Sequence, residues 1–445
     1  MTLIYRRCAG IDVHKKSISV CARIRIARDR FRTETAVFLT FTQELEKMAA
    51  WLRERKIQHV AMESTGVYWK PVWNVLEASK GKFEILLVNP QQVKALPGRK
   101  TDQQDAERIA SYLQEGLLRG SFVPPVPIRE LRELTRRRTH LQGDRNRVIN
   151  RIGRLLETAN IKLGTVLSNI VGVNGRAILD AIIAGKTSAV VLANQVTGHV
   201  KRPYEEFVLA LQGRYSDHLR WLLRQLLDQL DGLNRQTADV DERIRQITKP
   251  HQDLIERLCT LPGVSLISAH AIIAEVGTDM TPFPDARHLA SWAGLCPGNS
   301  ESAGKRFSGR TRKGDRYLRR ILVQNAWVVA HLKDCALTAF FHRIASRAGM
   351  KKAAVAVAHR ILTLAYFIIR DGSSYYEAGR NVYDLRHRER TASRLVRRLQ
   401  RIGYDITLSS PPAAPDQKCA KCNRWGIACI HVRPRISKPA QESSR

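Results

Sequence analysis

The sequence predicts an α/β domain over about residues 1–120, then two long helices, then a helical C-terminal region. Three observations predict it. Apolar strand-like runs alternate with helical periodicity up to residue 120. Two later segments repeat apolar residues at heptad spacing. From Leu258 to about Arg380 the pattern is helical, with Gly-rich turns between segments.

Taken in order, residues 7–22 read as a strand, and residues 23–41 as two more short strands in β-rich alternation. Glu44–Lys56 reads as a helix, Ile57–Met62 as a buried strand that delivers Glu63 at its end, and Trp69–Ser79 as a helix. Phe83–Val88 is a further short buried strand. After the loop "NPQQVKALPGRK", Thr101 can cap a helix that begins at Asp102. "SFVPPVP" at 121–127 is a linker.

Leu131, Leu134, Leu141, Val148, Ile152 and Leu155 then fit a heptad whose skipped seam positions are Arg138 and Arg145. Leu226, Leu230, Leu233, Val240, Ile244 and Ile247 fit a second, with Thr237 on the same seam. The pair predicts an antiparallel or intermolecular coiled coil; two core helices of one bundle would give the same short pattern. The resulting divisions are 1–120, a helical linker region 121–257, an all-α region 258–390, and a basic, irregular tail 391–445 within which "SSPPAAP" (409–415) is a linker.

Composition narrows the function. The 445 residues suffice for two to four domains, and 44% apolar residues suffice to fill them. The net charge of +33 calls for a polyanionic partner, nucleic acid above all. Residues 305–445 hold 30 Lys and Arg against 9 Asp and Glu, an imbalance that a merely solvated surface does not need. The opening "MTLIYRRCAGIDV" lacks the apolar stretch of a signal peptide. The apolar stretch at Ala353–Ile369 is broken by His359 and Arg360, so no membrane span is expected. Five scattered cysteines fit reduced cytosolic thiols.

Four acids stand out against this basic background: Asp12 in "GIDVHKK", Glu63 in "AMESTGVYW", and Asp102 and Asp105 in "KTDQQDAERIA". The last two are three apart at a helix start and share a face. Clustered carboxylates require a compensating cation, and a Mg²⁺ pair would suit chemistry at phosphorus. Each acid also has a local explanation, as a strand end, a turn, or first-turn acids opposing the helix dipole. "LPGVSLISAHAIIAEVG" (261–277) resembles a helix-hairpin-helix, whose Gly turn can present N–H groups to phosphate. Ser302 lies in "SESAGK" before Lys305, Arg306, Arg310, Arg312, Lys313, Arg316, Arg319 and Arg320. A serine in such a loop can attack phosphorus, with cations stabilising the charge; a loop of this kind can also simply bind phosphate. Near the end, Cys419, Cys422, Cys429 and His431 could bind one tetrahedral Zn²⁺, or be incidental thiols of a basic tail.

The motifs "GIDVHKKSISV", "MESTGVYWKPVWNVLE", "VNPQQVKALPGRKTDQQDAERIA" and the long stretch from "LPGVSLISAH" to "KGDRYLRRIL" resemble those of the DEDD-type insertion-sequence transposases, bridge-RNA-guided DNA recombinases. The resemblance runs from about residue 8 to 375. It implies a ribonuclease H-like (RuvC-like) N-terminal domain, a coiled coil and a C-terminal transposase domain. Asp12, Glu63, Asp102 and Asp105 would bind Mg²⁺. The family's serine nucleophile falls on Ser302, aligned from Pro297 to Gly304, with Ser300 as the fallback because Glu301 and Ala303 depart from the Ser-Ser-Gly pattern. Donor and target DNA, a noncoding bridge RNA and a homodimer or tetramer are the implied partners, and a bacterial or archaeal cytoplasm the implied setting. A junction resolvase using the same acids, or a non-catalytic nucleic-acid binder, are the alternatives; the tail 391–445 lies outside the resemblance.

Overall fold

The computed structural model describes residues 4–27, 30–79, 83–90, 102–198, 200–298, 300–302, 305–381 and 388–406; within these, the side chains of 102–104, 300–302, 305–308 and 388 are not described. Two compact units make up the chain, Met1–Val123 and Pro124–Arg445.

The first unit is built on five strands: β1 (Arg7–Val13), β2 (Ser17–Ala27), β3 (Arg30–Leu39), β4 (His59–Glu63) and β5 (Glu84–Val88). Their order is β3-β2-β1-β4-β5. The first three pair antiparallel as a meander, whereas β1, β4 and β5 run parallel. Parallel strands need crossovers, and α1 (Thr42–Glu54) and α2 (Trp69–Ala78) supply them. One sheet face, with Ile11, Val13, Val20 and Met62, packs on Leu45, Met48, Leu52, Val72 and Leu76 of these helices. The other face, with Cys8 and Ala61, packs on Ile109 and Leu113 of α3 (Asp102–Gln114). Gly10 makes that second packing close: a Cβ there would run into the Ala106 carbonyl and the Ala110 nitrogen of the α3 backbone.

The second unit begins with α4 (Val126–Thr158), passes through the short helices α5 (Leu163–Val166), α6 (Val173–Ile183), α7 (Ala189–Ala193) and α8 (Tyr204–Ala210), and returns along α9 (Asp217–Thr248). The two long helices run antiparallel within one chain. Arg138 Nε reaches Asp241 Oδ1 at 2.5 Å, and Arg145 Nε reaches Asn234 Oδ1 at 3.0 Å, so numbers rise on one helix as they fall on the other. The expected seam arginines therefore have partners across the seam. At one end, α6–α8 close over the pair into a bundle core containing Ile152, Leu156, Ile178, Phe207 and Leu227.

Beyond it lie α10 (Gln252–Cys259), α11 (Leu266–Val276), α12 (Ala286–Trp292), α13 (Arg316–Val329), α14 (Ala336–Ala348), α15 (Met350–Asp371) and the basic α16 (Arg388–Arg401). By length and composition α15 could cross a membrane, but it buries Val357, Ile361, Leu362 and Ala365 inside this unit, as the core helix of a folded domain does.

Several expectations are corrected. The strand read over 7–22 is broken at His14–Lys16, where the His14 N–H donates to Ser17 O at 3.0 Å and starts the β1–β2 turn. The heptad phase is off by one at Leu155 and Leu226; the fully buried residues are Leu156 and Leu227, because the stripe must also face α6–α8. The C-terminal region is not all-α. It contains an antiparallel pair, β6 (Ser300–Ser302) and β7 (Lys305–Ser308). Thr101 and the proposed zinc ligands Cys419, Cys422, Cys429 and His431 lie outside the described residues.

Candidate active site

Strand periodicity places the first two acids. Along β1, Ala9, Ile11 and Val13 face α1 and α2, so Cys8, Gly10 and Asp12 face α3. Along β4, Val60 and Met62 face α1 and α2, so Ala61 and Glu63 face α3. The parallel register pairs Ile11 with Met62, so Asp12 and Glu63 each directly follow the last paired position of their strand. In the first turns of α3, Asp105 directly precedes Ala106, which meets Gly10, and its charge acts on Asp12. The sequence spreads these acids over nearly a hundred residues; the sheet and one helix bring Asp105 near enough for its charge to act on Asp12.

Asp12 is only 7% exposed. Burial pushes its carboxyl above the usual aspartate range; His14 opposes this, and the charge of Asp105 adds to it. His14 Nε2 stands 2.9 Å from Asp12 Oδ2. Arg108 Nη2 lies 2.7 Å from Asp105 Oδ1, and the Thr65 hydroxyl donates to Glu63 at 3.5 Å. A buried carboxylate raised by a neighbouring carboxylate is the electrostatic condition that a divalent cation relieves, and oxygen-only donors suit Mg²⁺. Among the described residues no three His, Cys, Asp or Glu side chains are close enough to hold a metal ion as they lie. The donor chemistry fits a hard cation, and Asp102 would have to join Asp12, Glu63 and Asp105. His14 and Arg108 were not singled out from the sequence. Their signal was proximity: each lies two or three residues from an acid, in "DVHK" and "DAER".

In the second unit, the segment around Ser302 is a hairpin pinched at its base. Gly298 N–H donates to Arg310 O at 2.9 Å, and Pro297 bridges to Thr311. Below them, Gly294 adopts φ +69°, and a Cβ there would lie 2.8 Å from the Gly314 nitrogen. Only glycine lets the two feet of the hairpin touch in this way. Ser302 pairs with Lys305 at the end of β6, next to the tip. Arg310, Arg312, Lys313, Arg316 and Arg320 are exposed around and below it. Arg319 is different: its Nη1 donates to Gly294 O at 2.7 Å and to Thr311 Oγ1 at 2.6 Å, so it ties the hairpin's feet to α13.

The helix-hairpin-helix expectation corresponds to α10, a turn through Gly263 at φ +76°, and α11. A Cβ at Gly263 would come within 2.8 Å of Asn325 O and of Val329 on α13. The glycine thus allows close helix packing, besides any contact its turn makes with phosphate.

Comparison with known proteins places both regions in one family. A DEDD transposase family model of the IS110 kind matches residues 9–161, which include all four acids, and a model described as the transposase IS116/IS110/IS902 family matches 255–342, which include Ser302. A probable family 20 transposase of Pseudomonas aeruginosa is 26% identical over 323 residues, covering 71% of this chain and 85% of that protein. A putative transposase of Sinorhizobium fredii is 28% identical, covering 69% of this chain and 72% of its own length. A pilin gene-inverting protein of Moraxella bovis is 28% identical over 31% of this chain and 44% of that protein. Among solved structures, RuvC of Thermus thermophilus aligns with 26% of this chain and 99% of its own, at 13% identity and a TM-score of 0.22. With both family models matched in order along one chain, the protein belongs to the DEDD-type IS110 family of transposases.

Proposed function

We propose that this transposase cuts and rejoins the DNA of its insertion element through a phosphoserine intermediate, with a Mg²⁺-binding acidic centre and a noncoding RNA as guide. Unit 1 is then a ribonuclease H-like (RuvC-like) domain. The Ser302 oxygen attacks a backbone phosphorus, a Ser–O–P bond forms, and the bond to one sugar oxygen breaks. That oxygen leaves with a proton and remains as a free strand end. A hydroxyl of the partner strand later attacks the same phosphorus, and Ser302 regains its proton as the leaving group. Asp12, Glu63, Asp102 and Asp105 would hold Mg²⁺, which supplies charge neutralisation at phosphorus. Lys305, Arg306, Arg310, Arg312, Lys313, Arg316 and Arg320 would hold DNA and RNA backbones, while base pairing with the RNA carries target choice. A homodimer or tetramer, assembled through the long helices, would bring two DNA segments together.

The observation that carries this reading is the buried Asp12 carboxyl, raised by burial and further by the charge of Asp105, on a strand paired with the one that ends at Glu63. The test is a covalent-adduct assay: express the chain with its native flanking DNA, isolate DNA under denaturing conditions, and probe for attached protein. Wild type is expected to give an adduct, and Ser302→Ala and Asp12→Asn none. Strand nicks that persist in Ser302→Ala without any adduct would sink the serine mechanism. They would favour a structure-specific nuclease or resolvase, which the acidic centre also suits, since it is assembled entirely from residues of the first unit.

A further inference from the structure

Glu275 is a carboxylate at 1% exposure near the end of α11, in a unit otherwise rich in surface charge. It is gripped from α4. Arg136 donates to both of its oxygens, from Nε and Nη2, each at 2.8 Å. Arg132, one turn earlier, approaches it at 3.0 Å and donates to the Ala274 and Glu275 carbonyls that end α11. A bidentate Arg–carboxylate pair fixes orientation as well as distance. Because desolvation offsets much of its Coulomb gain, such a buried pair is better explained by positioning than by stability.

What it positions is visible at the other side of the guanidinium. Arg136 Nη2 also donates to Asp315 Oδ2 at 3.0 Å. Asp315 is the N-cap of α13: its Oδ1 accepts from the Tyr317 and Leu318 N–H groups at 2.9 and 2.8 Å. The ring of Tyr317 lies 4.6 Å from Arg136 Cζ. Asp315 directly follows Gly314, one foot of the Ser302 hairpin, and Arg319 one turn into α13 holds Gly294 at the other foot. One chain of contacts therefore runs from α4 through Arg136 and Asp315 to the start of α13, and from there to both feet of the hairpin.

We infer that Arg136 is a positioning residue for Ser302: anchored by Glu275 and acting through Asp315, it fixes the base of the serine hairpin to the long helix α4. This rests on the reading of Ser302 as nucleophile. Arg136 touches no reacting atom; it sets where the serine strand stands, and α4 becomes the lever through which assembly of the long helices can reach the serine.

The test uses the full chain with its native flanking DNA and flanking transcript, comparing wild type, Arg136→Lys, Asp315→Asn and the double variant. Asparagine still caps a helix, so Asp315→Asn removes the ionic tie while keeping the cap. Three quantities are read: the Ser302-dependent covalent adduct, DNA affinity, and hydrogen-exchange protection of the hairpin amides, including Gly298. Each single variant is expected to lower adduct formation by roughly 10- to 100-fold, the cost of misplacing a reacting group. DNA affinity should stay within about threefold, hairpin protection should fall, and the double variant should be no worse than the worse single. Wild-type adduct levels in the variants, or unaltered hairpin protection, would overturn the inference while leaving the serine mechanism standing. Fully additive losses would also overturn it, because Arg136 and Asp315 would then act separately. Absence of adduct in wild type itself would remove the reading of Ser302 and this role with it.

Discussion

In the first unit the acids stand on two adjacent strands and a helix, with cores packed on both faces of the sheet. In the second, the expected nucleophile stands on a three-residue strand whose ladder is short and whose hold comes from its feet. A carboxylate centre must keep several like charges at fixed separation against their repulsion, and a sheet interior does this with many cooperative bonds. A nucleophile on a short ladder depends on how the ends of that ladder are anchored, and here the base is fixed by Gly298, Arg310, Pro297 and Thr311. A long, cooperative ladder and a short one anchored at its base are thus divided between the two units.

The sharpest way to break this comparison is Asp12→Asn. Removing one member of a cooperating catalytic set costs on the order of 10⁴-fold or more in rate. Yet the same change should stabilise the fold in the absence of divalent cations. The folded state raises the Asp12 carboxyl, mainly by burial and further by Asp105, so it prefers the protonated form. Its contribution to stability is complete below the unfolded value of about 3.9 and is lost as pH rises through the elevated folded value. Above that window the ionised carboxylate is a net cost that asparagine lacks. Thermal melts in chelator should therefore match at low pH and diverge in favour of Asp12→Asn towards neutrality. Mg²⁺ should raise the melting temperature of wild type and not of the variant. A variant less stable than wild type at neutral pH in chelator would mean that Asp12 is a structural acid.

Two glycines sharpen the contrast next. Gly10→Ala puts a methyl into the α3 backbone, which cannot retreat without leaving the sheet, and should cost about 1–3 kcal/mol of stability or more in denaturant melts. Gly314→Ala meets the Gly294 backbone at the hairpin's foot, where the short ladder can shift. It should leave the melting temperature nearly unchanged and reduce adduct formation instead. A global destabilisation by Gly314→Ala equal to that by Gly10→Ala would show that the hairpin is as rigid as the sheet.

The same contrast explains what could be read in the sequence. β4, β5, α1 and α2 are legible because their apolar periodicity is set by one core, and Glu63 at a strand end and Asp105 at a helix start follow from it. The β1–β2 turn was missed because alternation runs on through "VHKKSIS" without glycine or proline. The pair β6–β7 was missed because its strands are only three and four residues long, in a glycine- and arginine-rich stretch that reads as loop. Glu275 is not legible in the sequence as an anchor: in "IIAEVG" it is one acid on an apolar helix, and only the arrival of Arg132 and Arg136 from more than 130 positions away gives it a role. Long-range side-chain partners leave no periodic signature.

Arg319 carries the smallest expected effect and the finest distinction. The sequence counts it among eight cations that could all touch nucleic acid, yet its guanidinium faces inward onto Gly294 and Thr311. A phosphate contact contributes charge, so neutralising it lowers the salt dependence of binding by about one unit of slope, and lysine replaces it well. An internal clamp contributes geometry, so lysine, with no planar fork, replaces it poorly at about 0.5–1.5 kcal/mol per lost hydrogen bond. Arg319→Lys should therefore leave the salt slope of DNA binding unchanged and lower adduct formation several-fold. Exposed Arg320, replaced by alanine, should do the reverse, losing about one unit of slope and keeping the adduct yield of the DNA that remains bound. If Arg319→Lys behaved as wild type while Arg319→Ala lost a unit of slope, Arg319 would belong with the surface cations, and the hairpin would hang from α13 by its glycines and Asp315 alone.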